Sequence, residues 1–275
     1  WPLCVFIKIN GGTCMITAAS NSRIKRLVQL NQKSKLRRTE DVFLAEGVKM
    51  FLEAPREQLQ EVYVSESFLE KCSCREHLEE VGYEVVSDSV FSKISDTCTP
   101  QGVLCVLKQF HYNIEEMLRD KAPLFLLLEN IQDPGNLGTM LRTGEGAGVS
   151  GIIMSRDTVD LYNPKVIRST MGSIYRVPFY YADDFAAAVH QVQQTGVSVY
   201  AAHLRGKNSY ACQDYTKGTA FLIGNEGNGL REETAELADC YIRIPMEGKV
   251  ESLNAAVASS ILMYEAHRQR ATIEK

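Results

Sequence analysis

The chain has 275 residues, of which 45% are hydrophobic and 23% charged, and 30 Lys and Arg stand against 34 Asp and Glu for a formal net charge of -4. This balance is ordinary for a soluble globular chain, allows one large or two modest domains, and excludes a uniformly basic coat for nucleic acid. No apolar run reaches the roughly 18 residues that a membrane-spanning helix needs.

Residues 1–14 lack the basic start, apolar stretch and cleavage site of a signal peptide, and are expected to form a disordered extension ahead of Met15. A basic helix is predicted over 20–31, opened by a capping residue near Ser20. Between Ser20 and Thr39 lie Arg23, Lys25, Arg26, Lys33, Lys35, Arg37 and Arg38, with no acidic residue among them. Such a patch either follows a phosphate backbone or is a solvated helix face. Strands are predicted at 42–47, 61–65, 83–86 and 101–107, with helices at 48–53, 67–80 and 89–94. This alternation describes a small α/β domain over 15–110. The charged, amphipathic stretch 111–122 is expected to be a linker.

From 123 to 275 the pattern restarts with more apolar strands, at 124–128, 151–154, 176–180, 197–201, 220–223 and 241–244. Helices are predicted between and after them at 137–147, 164–171, 184–194, 232–238 and 253–270. Near-continuous apolar strands separated by helices indicate a parallel sheet buried on both faces, so the fold class is α/β. The eight cysteines show no metal-ligand or disulfide spacing. Cys98, Cys105, Cys212 and Cys240 sit in or beside apolar stretches and read as small hydrophobes, which suggests a reducing compartment, the cytoplasm.

Three loops carry the chemistry. Asn130-Ile131-Gln132-Asp133-Pro134-Gly135-Asn136 leads into a helix containing Arg142. Gly224-Asn225-Glu226-Gly227-Asn228-Gly229 follows the strand at 220–223. Ile244-Pro245-Met246-Glu247-Gly248-Lys249-Val250-Glu251-Ser252-Leu253-Asn254 runs into the last helix. All three fall at carboxyl ends of parallel strands, where such sheets bind ligands. Glycine lets backbone approach a ligand, and Asn or Ser supplies neutral hydrogen bonds. No dinucleotide fingerprint or phosphate-gripping Gly-Lys-Ser/Thr loop is present. An adenosine bearing a sulfonium and an amino acid suits these loops better than a nucleotide phosphate does.

In sequence, spacing and order, Asn136 with Arg142, Asn225-Glu226-Gly227, and Ser252-Leu253-Asn254 within its Ile244-Pro245-Met246 frame resemble the signature motifs of the SpoU (TrmH-like) ribose methyltransferases. The resemblance spans about residues 124–270. It implies a deep trefoil knot in the second domain, an exception to unknotted topology. It implies S-adenosylmethionine touching Gly224, Ile244 and Leu253, largely through backbone, with methyl transfer to a ribose 2′-hydroxyl of RNA and no metal. It also implies a homodimer through the last helix, whose apolar face is Leu253, Val257, Ile261 and Tyr264, and the first motif helix. Phe43-Leu44-Ala45-Glu46-Gly47-Val48 and Thr99-Pro100-Gln101-Gly102-Val103-Leu104 resemble the family's RNA substrate-binding domain. On that basis Arg23, Lys25, Arg26, Lys35, Arg37 and Arg38 become expected RNA contacts. A separate amino-terminal domain favours ribosomal over transfer RNA. A transfer-RNA 2′-O-methyltransferase and an inactive RNA-binding relative are the alternatives.

The resemblance makes Arg142, Asn136, Glu226, Ser252 and Asn254 the catalytic set. Arg142 has two readings: a base, possible only if a guanidinium gives up its strongly held proton, or an anchor for phosphate and developing alkoxide. Asn136 orients Arg142 or the ribose, or caps the helix beside it. Glu226 holds its loop or meets Arg142. Ser252 is expected to cap the last helix, leaving Asn254 for function. The five histidines, His203 among them, match no motif position and read as surface or core residues.

Overall fold

The computed structural model describes residues 15–273. The extension expected over 1–14 lies outside them. The chain forms two compact units: one takes the described residues through Phe110 together with Tyr162–Tyr175, the other His111–Leu161 and the chain from Arg176 onward.

The first unit comprises α1 (Ser22–Gln32), α2 (Ser34–Glu40), β1 (Val42–Glu46), α3 (Val48–Leu52), β2 (Leu59–Ser65), α4 (Glu66–Lys71), α5 (Arg75–Val81), β3 (Glu84–Val86), α6 (Asp88–Ile94) and β4 (Val103–Lys108). Its sheet runs β1-β4-β2-β3. The two pairs involving β4 are antiparallel and β2–β3 is parallel. Ile24, Leu27 and Leu30 repeat at helical spacing on α1 and are buried in one core with Val42, Leu44, Tyr63 and Leu104. The cap of α1 is Asn21, whose Oδ1 accepts from the Arg23 amide at 2.9 Å, one position after the expected Ser20. The single helix expected over 67–80 is two, because the chain turns extended at Cys72. Helix α2 has no apolar repeat to announce it and ends on Asp41 in the left-handed region, φ 56°.

Tyr162–Tyr175, which the sequence pattern assigns to the second domain, belongs to this first unit. Tyr162 Oη donates to the Phe110 carbonyl (3.1 Å) and accepts from its amide (2.6 Å), and Tyr175 Oη donates to the Met50 carbonyl at 3.0 Å. Phenols placed so far along the chain give no local sign of these partners.

The second unit contains α7 (Ile114–Met117), β5 (Leu124–Leu128), α8 (Pro134–Ala147) and β6 (Gly151–Ser155). After α9 (Pro164–Thr170), which folds with the first unit, come β7 (Phe179–Ala182), α10 (Phe185–Gln194), β8 (Ser198–Ala202), β9 (Asn208–Ser209), β10 (Thr219–Ile223), α11 (Glu232–Ala235), β11 (Cys240–Arg243) and α12 (Ala255–Ile273). All seven strands are parallel, in the order β7-β6-β5-β10-β8-β11-β9. Every residue of β5, β6 and β10 is buried, as covering helices on both faces of a parallel sheet require. Stretch 111–122 is more than a linker, since Ile114 and Met117 of α7 are buried in this unit's core. The strand expected at 176–180 starts later, because Ser173–Tyr175 forms a 3₁₀ turn and Arg176 pairs with Glu145.

Helix α12 packs along α8. Ser260 Oγ donates to Thr143 Oγ1 at 3.3 Å, and a Cβ on Gly146 would lie 2.9 Å from Tyr264 Oη, so a larger residue there would have to shift the end of that half-exposed side chain. The far end of α12 is tied down by Arg270. Its guanidinium donates to the carbonyls of Ala122 (2.8 Å), Pro123 (3.1 Å), Tyr215 (2.9 Å) and Lys217 (2.7 Å).

Candidate active site

Strands β5, β10, β8 and β11 are neighbours in the sheet, so the loops leaving their carboxyl ends lie side by side. A cavity of about 300 Å³ opens there. Its wall includes Gly224, Ile244, Ser252 and Leu253, together with His203, Leu204, Leu230, Arg243, Met246 and Glu251. All three residues expected at the cofactor therefore line one cavity. A wider cleft of about 640 Å³ adjoins it, lined by Gln132, Asp133, Pro134, Asn136, Asn225, Glu226, Gly227 and Asn254. Asn225, Glu226 and Gly227 are common to both.

Hydrogen bonds between the three loops build this arrangement. Glu226 accepts from Asn136 Nδ2 at 3.0 Å and from the amides of Asp133 (3.1 Å) and Gln132 (3.2 Å). Asn254 Nδ2 donates to Asn136 Oδ1 at 3.0 Å. Asn225 Nδ2 donates to the Asn130 carbonyl at 2.8 Å, while its Oδ1 accepts from the amides of Gly227 (2.9 Å) and Asn228 (3.0 Å). One chain of side chains, Asn254–Asn136–Glu226, thus links all three motifs. The second loop closes on itself through the paired backbone bonds of Asn225 and Gly229. A Cβ on Gly224 would stand 2.2 Å from both Gly229 C and Leu230 N, so only glycine fits beneath that closure.

The expected cap at Ser252 and the alternative of a cap at Asn136 both give way. Asp133, not Asn136, caps α8: its Oδ1 accepts from the Asn136 amide at 2.8 Å, with Pro134 in the first turn. Asn254, not Ser252, caps α12, its Oδ1 accepting from Ala256 N (2.9 Å) and Val257 N (3.3 Å). Asn254 therefore caps with one end of its amide and bridges to Asn136 with the other. Ser252 remains on the cavity wall, and its hydroxyl takes no hydrogen bond among the described residues.

Burial alone would raise the Glu226 carboxyl, but hydrogen bonds from Asn136 and the backbone outweigh it and hold the group below its ordinary value. Its hold on the first loop is therefore complete at neutral pH and is lost as pH falls below the ordinary carboxylate range through the depressed value. Replacing Glu226 by Gln is expected to speed hydrogen exchange of the Gln132 and Asp133 amides about ten-fold at pH 7. Wild type should show comparable loosening only on acidification.

Arg142 stands apart. It follows Asn136 by six residues on α8, which is about 9 Å along the helix and about 120° around it. It is exposed, lines neither cavity, and forms no hydrogen bond or ion pair among the described residues.

Two residues that shape or line the site carry no motif signal. Glu129, at the end of β5, is 1% exposed and accepts from Arg231 N (2.8 Å) and Thr234 Oγ1 (2.5 Å). It thereby pins the chain leaving the second loop, and an acid closing an apolar strand was its only trace in the sequence. His203 lines the cavity from the end of β8, where β8 has no motif to draw attention to it.

The basic stretch of the first unit divides. Arg37 is 3% exposed, donating to the carbonyls of Leu30 (2.7 Å) and Asn31 (3.2 Å), so the RNA contact expected for it is corrected: it is a structural residue. Arg23 pairs with Glu84 at 2.6 Å, and Arg26 with Glu40 (2.7 Å) and Glu61 (2.8 Å). Lys25, Lys33, Lys35 and Arg38 are exposed and pair with no carboxylate among the described residues.

Residues 123–264 match the SpoU rRNA Methylase family, and residues 21–105 match the MRM3-like substrate binding domain. The chain is 32% identical over 252 residues to the 23S rRNA (guanosine(2553)-2'-O)-methyltransferase RlmP of Bacillus subtilis (strain 168), covering 90% of this chain and 97% of that one. Its fold is similar to that of the AdoMet bound rRNA methyltransferase from Sinorhizobium meliloti, with TM-score 0.80 and 30% identity over 92% of this chain and 97% of that chain. It is also similar to the SpoU methyltransferase AviRb from Streptomyces viridochromogenes in complex with AdoMet, with TM-score 0.83 and 26% identity over 92% and 99% of the two chains. Its motifs, its parallel sheet and these matches together make the chain a member of the SpoU rRNA methylase family.

Proposed function

We propose that this chain methylates a ribose 2′-hydroxyl in ribosomal RNA, with S-adenosylmethionine as methyl donor. The observation that carries the reading is the pair of adjoining cavities, one walled by all three cofactor candidates and the other by Asn136, Glu226 and Asn254, sharing Asn225–Gly227. The first wall fits such a cofactor. Among the described residues its charged side chains are Glu226, Glu251 and Arg243, with no phosphate-gripping lysine, and Leu204, Ile244 and Leu253 offer apolar surface to a nucleoside. When bound, S-adenosylmethionine supplies a methyl group activated by its sulfonium. Gly224 and Leu230 would hold it from the cavity wall through backbone, with Ser252, whose hydroxyl takes no hydrogen bond among the described residues, on the same wall.

The acceptor ribose enters the open cleft. Asn136 is locked there by Glu226 and Asn254, which leaves one amide N–H of its side chain to fix the sugar. Among the described residues the cleft wall holds two carboxylates, Asp133 and Glu226, and no cation, so the cation that meets the RNA phosphate comes from elsewhere. The resemblance to the family implies that Arg142 of a second copy fills that need, delivered by a homodimer. The contact is the exposed stripe of α8 with Val257, Ile261 and Tyr264 of α12, where Val257 and Tyr264 are each 48% exposed. Its guanidinium anchors the phosphate and stabilises the charge developing on the oxygen. Threading of the chain before α12 as a deep trefoil knot belongs to the same reading, supported by the fold likeness to AdoMet-bound relatives. Free thiols at all six described cysteines support a cytoplasmic setting.

The first unit presents the RNA, with Lys25, Lys33, Lys35 and Arg38 along its backbone. Replacing Lys33, Lys35 and Arg38 together by Ala is expected to weaken RNA binding and to flatten the slope of log affinity against log salt by roughly 0.7–0.9 per lost contact. Filter binding across a salt series measures this. Arg37→Ala should instead lower thermal stability, since it removes the donor that closes α1. The activity itself is tested by incubating the chain with methyl-labelled S-adenosylmethionine and unmodified ribosomal or transfer RNA, then digesting to nucleosides. Label in 2′-O-methylnucleosides from ribosomal RNA supports the reading. Label on a base, or in transfer RNA alone, refutes it.

A further inference from the structure

His203 follows β8 directly and lies on the wall of the cofactor cavity. Its Nδ1 accepts from the Arg205 amide at 3.1 Å, which places the neutral ring's proton on Nε2. Tyr241 of β11 lies against the ring, with centroids 5.1 Å apart and planes inclined at 32°. Position and tautomer are thus both set by the fold, and Nε2 meets no partner among the described residues. A positioned donor that no protein group engages, on a cavity wall, is available to an acceptor on a bound ligand.

The charges around it are Arg205 in the same turn, Glu232 of α11 paired with that arginine, and Arg243, Glu226 and Glu251 on the cavity wall. Tyr241 is the titratable group packed on its face. Burial first, and then the Arg205 guanidinium, pull the imidazole below its ordinary value, with Glu232 opposing.

We propose that His203 is a cofactor-contacting residue whose neutral Nε2–H donates to the bound nucleoside, and that its protonation selects against the cationic methyl donor relative to the uncharged demethylated product. This inference rests on the reading of the cavity as the S-adenosylmethionine site. A protonated ring can no longer accept from the Arg205 amide, and its charge opposes a sulfonium but not a thioether.

Calorimetric titration of the full chain with S-adenosylmethionine and with S-adenosylhomocysteine, at pH 7.5 and pH 5.5, tests it. The ratio of donor to product affinity should fall about three-fold or more on acidification, and in His203→Gln it should stay flat. An independent readout in the wild type is the His203 Cε1–H resonance, which should titrate at lower pH with the donor bound than with the product. A ratio unchanged in wild type, the same fall in His203→Gln, or equal titration with both ligands overturns the inference and leaves the cofactor site standing. Failure of both ligands to bind at either pH overturns the cofactor site and the inference with it.

Discussion

Replacing Arg142 by alanine is expected to lower methyl transfer by about 10²–10³-fold, the scale of removing a preorganised charge that meets a developing oxyanion. Stability should move by no more than roughly 0.5 kcal/mol, because an exposed side chain without a partner has little to lose. Cofactor affinity should also hold, since Arg142 lines neither cavity. Initial rates, thermal unfolding and calorimetry separate these three outcomes. Arg142→Lys distinguishes the two chemical roles. As an anchor, lysine keeps the charge but loses the two-pronged grip on phosphate, giving a partial loss with an unchanged pH–rate profile. As a base, lysine would shift the profile. Supply from a second copy adds a further expectation: mixed dimers of Arg142→Ala with Asn254→Ala chains should recover activity that neither variant has alone.

Gly224→Ala is expected to reduce S-adenosylmethionine affinity by about 100-fold and stability by roughly 1–3 kcal/mol, the cost of forcing a methyl group into packed structure. The added carbon would lie 2.2 Å from two backbone atoms, Gly229 C and Leu230 N, which cannot rotate aside as a side chain would. Relief requires breaking the Asn225–Gly229 pair, with bonds of 3.0 and 2.9 Å, that closes the loop over the cavity. Calorimetry and thermal unfolding measure both effects, and wild-type affinity in this variant would contradict the placement of the cofactor.

What the sequence revealed follows from how far each signal reaches. Strand β5 is five apolar residues in a row, and the parallel sheet could be read from such runs because burial on both faces leaves no polar alternation. The three loops were legible as a set because their glycine and asparagine spacing is dense and local. Helix α2 was not, since seven residues with one leucine leave no period to detect. The caps exchanged places for a similar reason: Asp133 and Asn254 are chosen by the entry of the chain into α8 and α12, and nearby Asn136 and Ser252 are equally good capping types.

The larger misses depend on side-chain partners that no periodicity announces, six or seven residues back for Arg37 and some ninety for Glu226. Arg37 looks like its basic neighbours until its guanidinium is seen on the carbonyls that end α1. Glu226 reaches back to residues 132–136, so its role as a strut could be weighed beforehand but not decided. Glu129 and His203 lie outside the motifs, and only the adjacency of β5, β10, β8 and β11 brings them to the site.

The most direct measurement is methyl transfer from labelled S-adenosylmethionine to unmodified ribosomal RNA, with the labelled nucleotide mapped, for wild type and Arg142→Ala side by side. Label is expected at a ribose 2′-oxygen with wild type, and a loss of at least about 100-fold with the variant. Equal labelling by the two proteins, or label carried on a base, would contradict it.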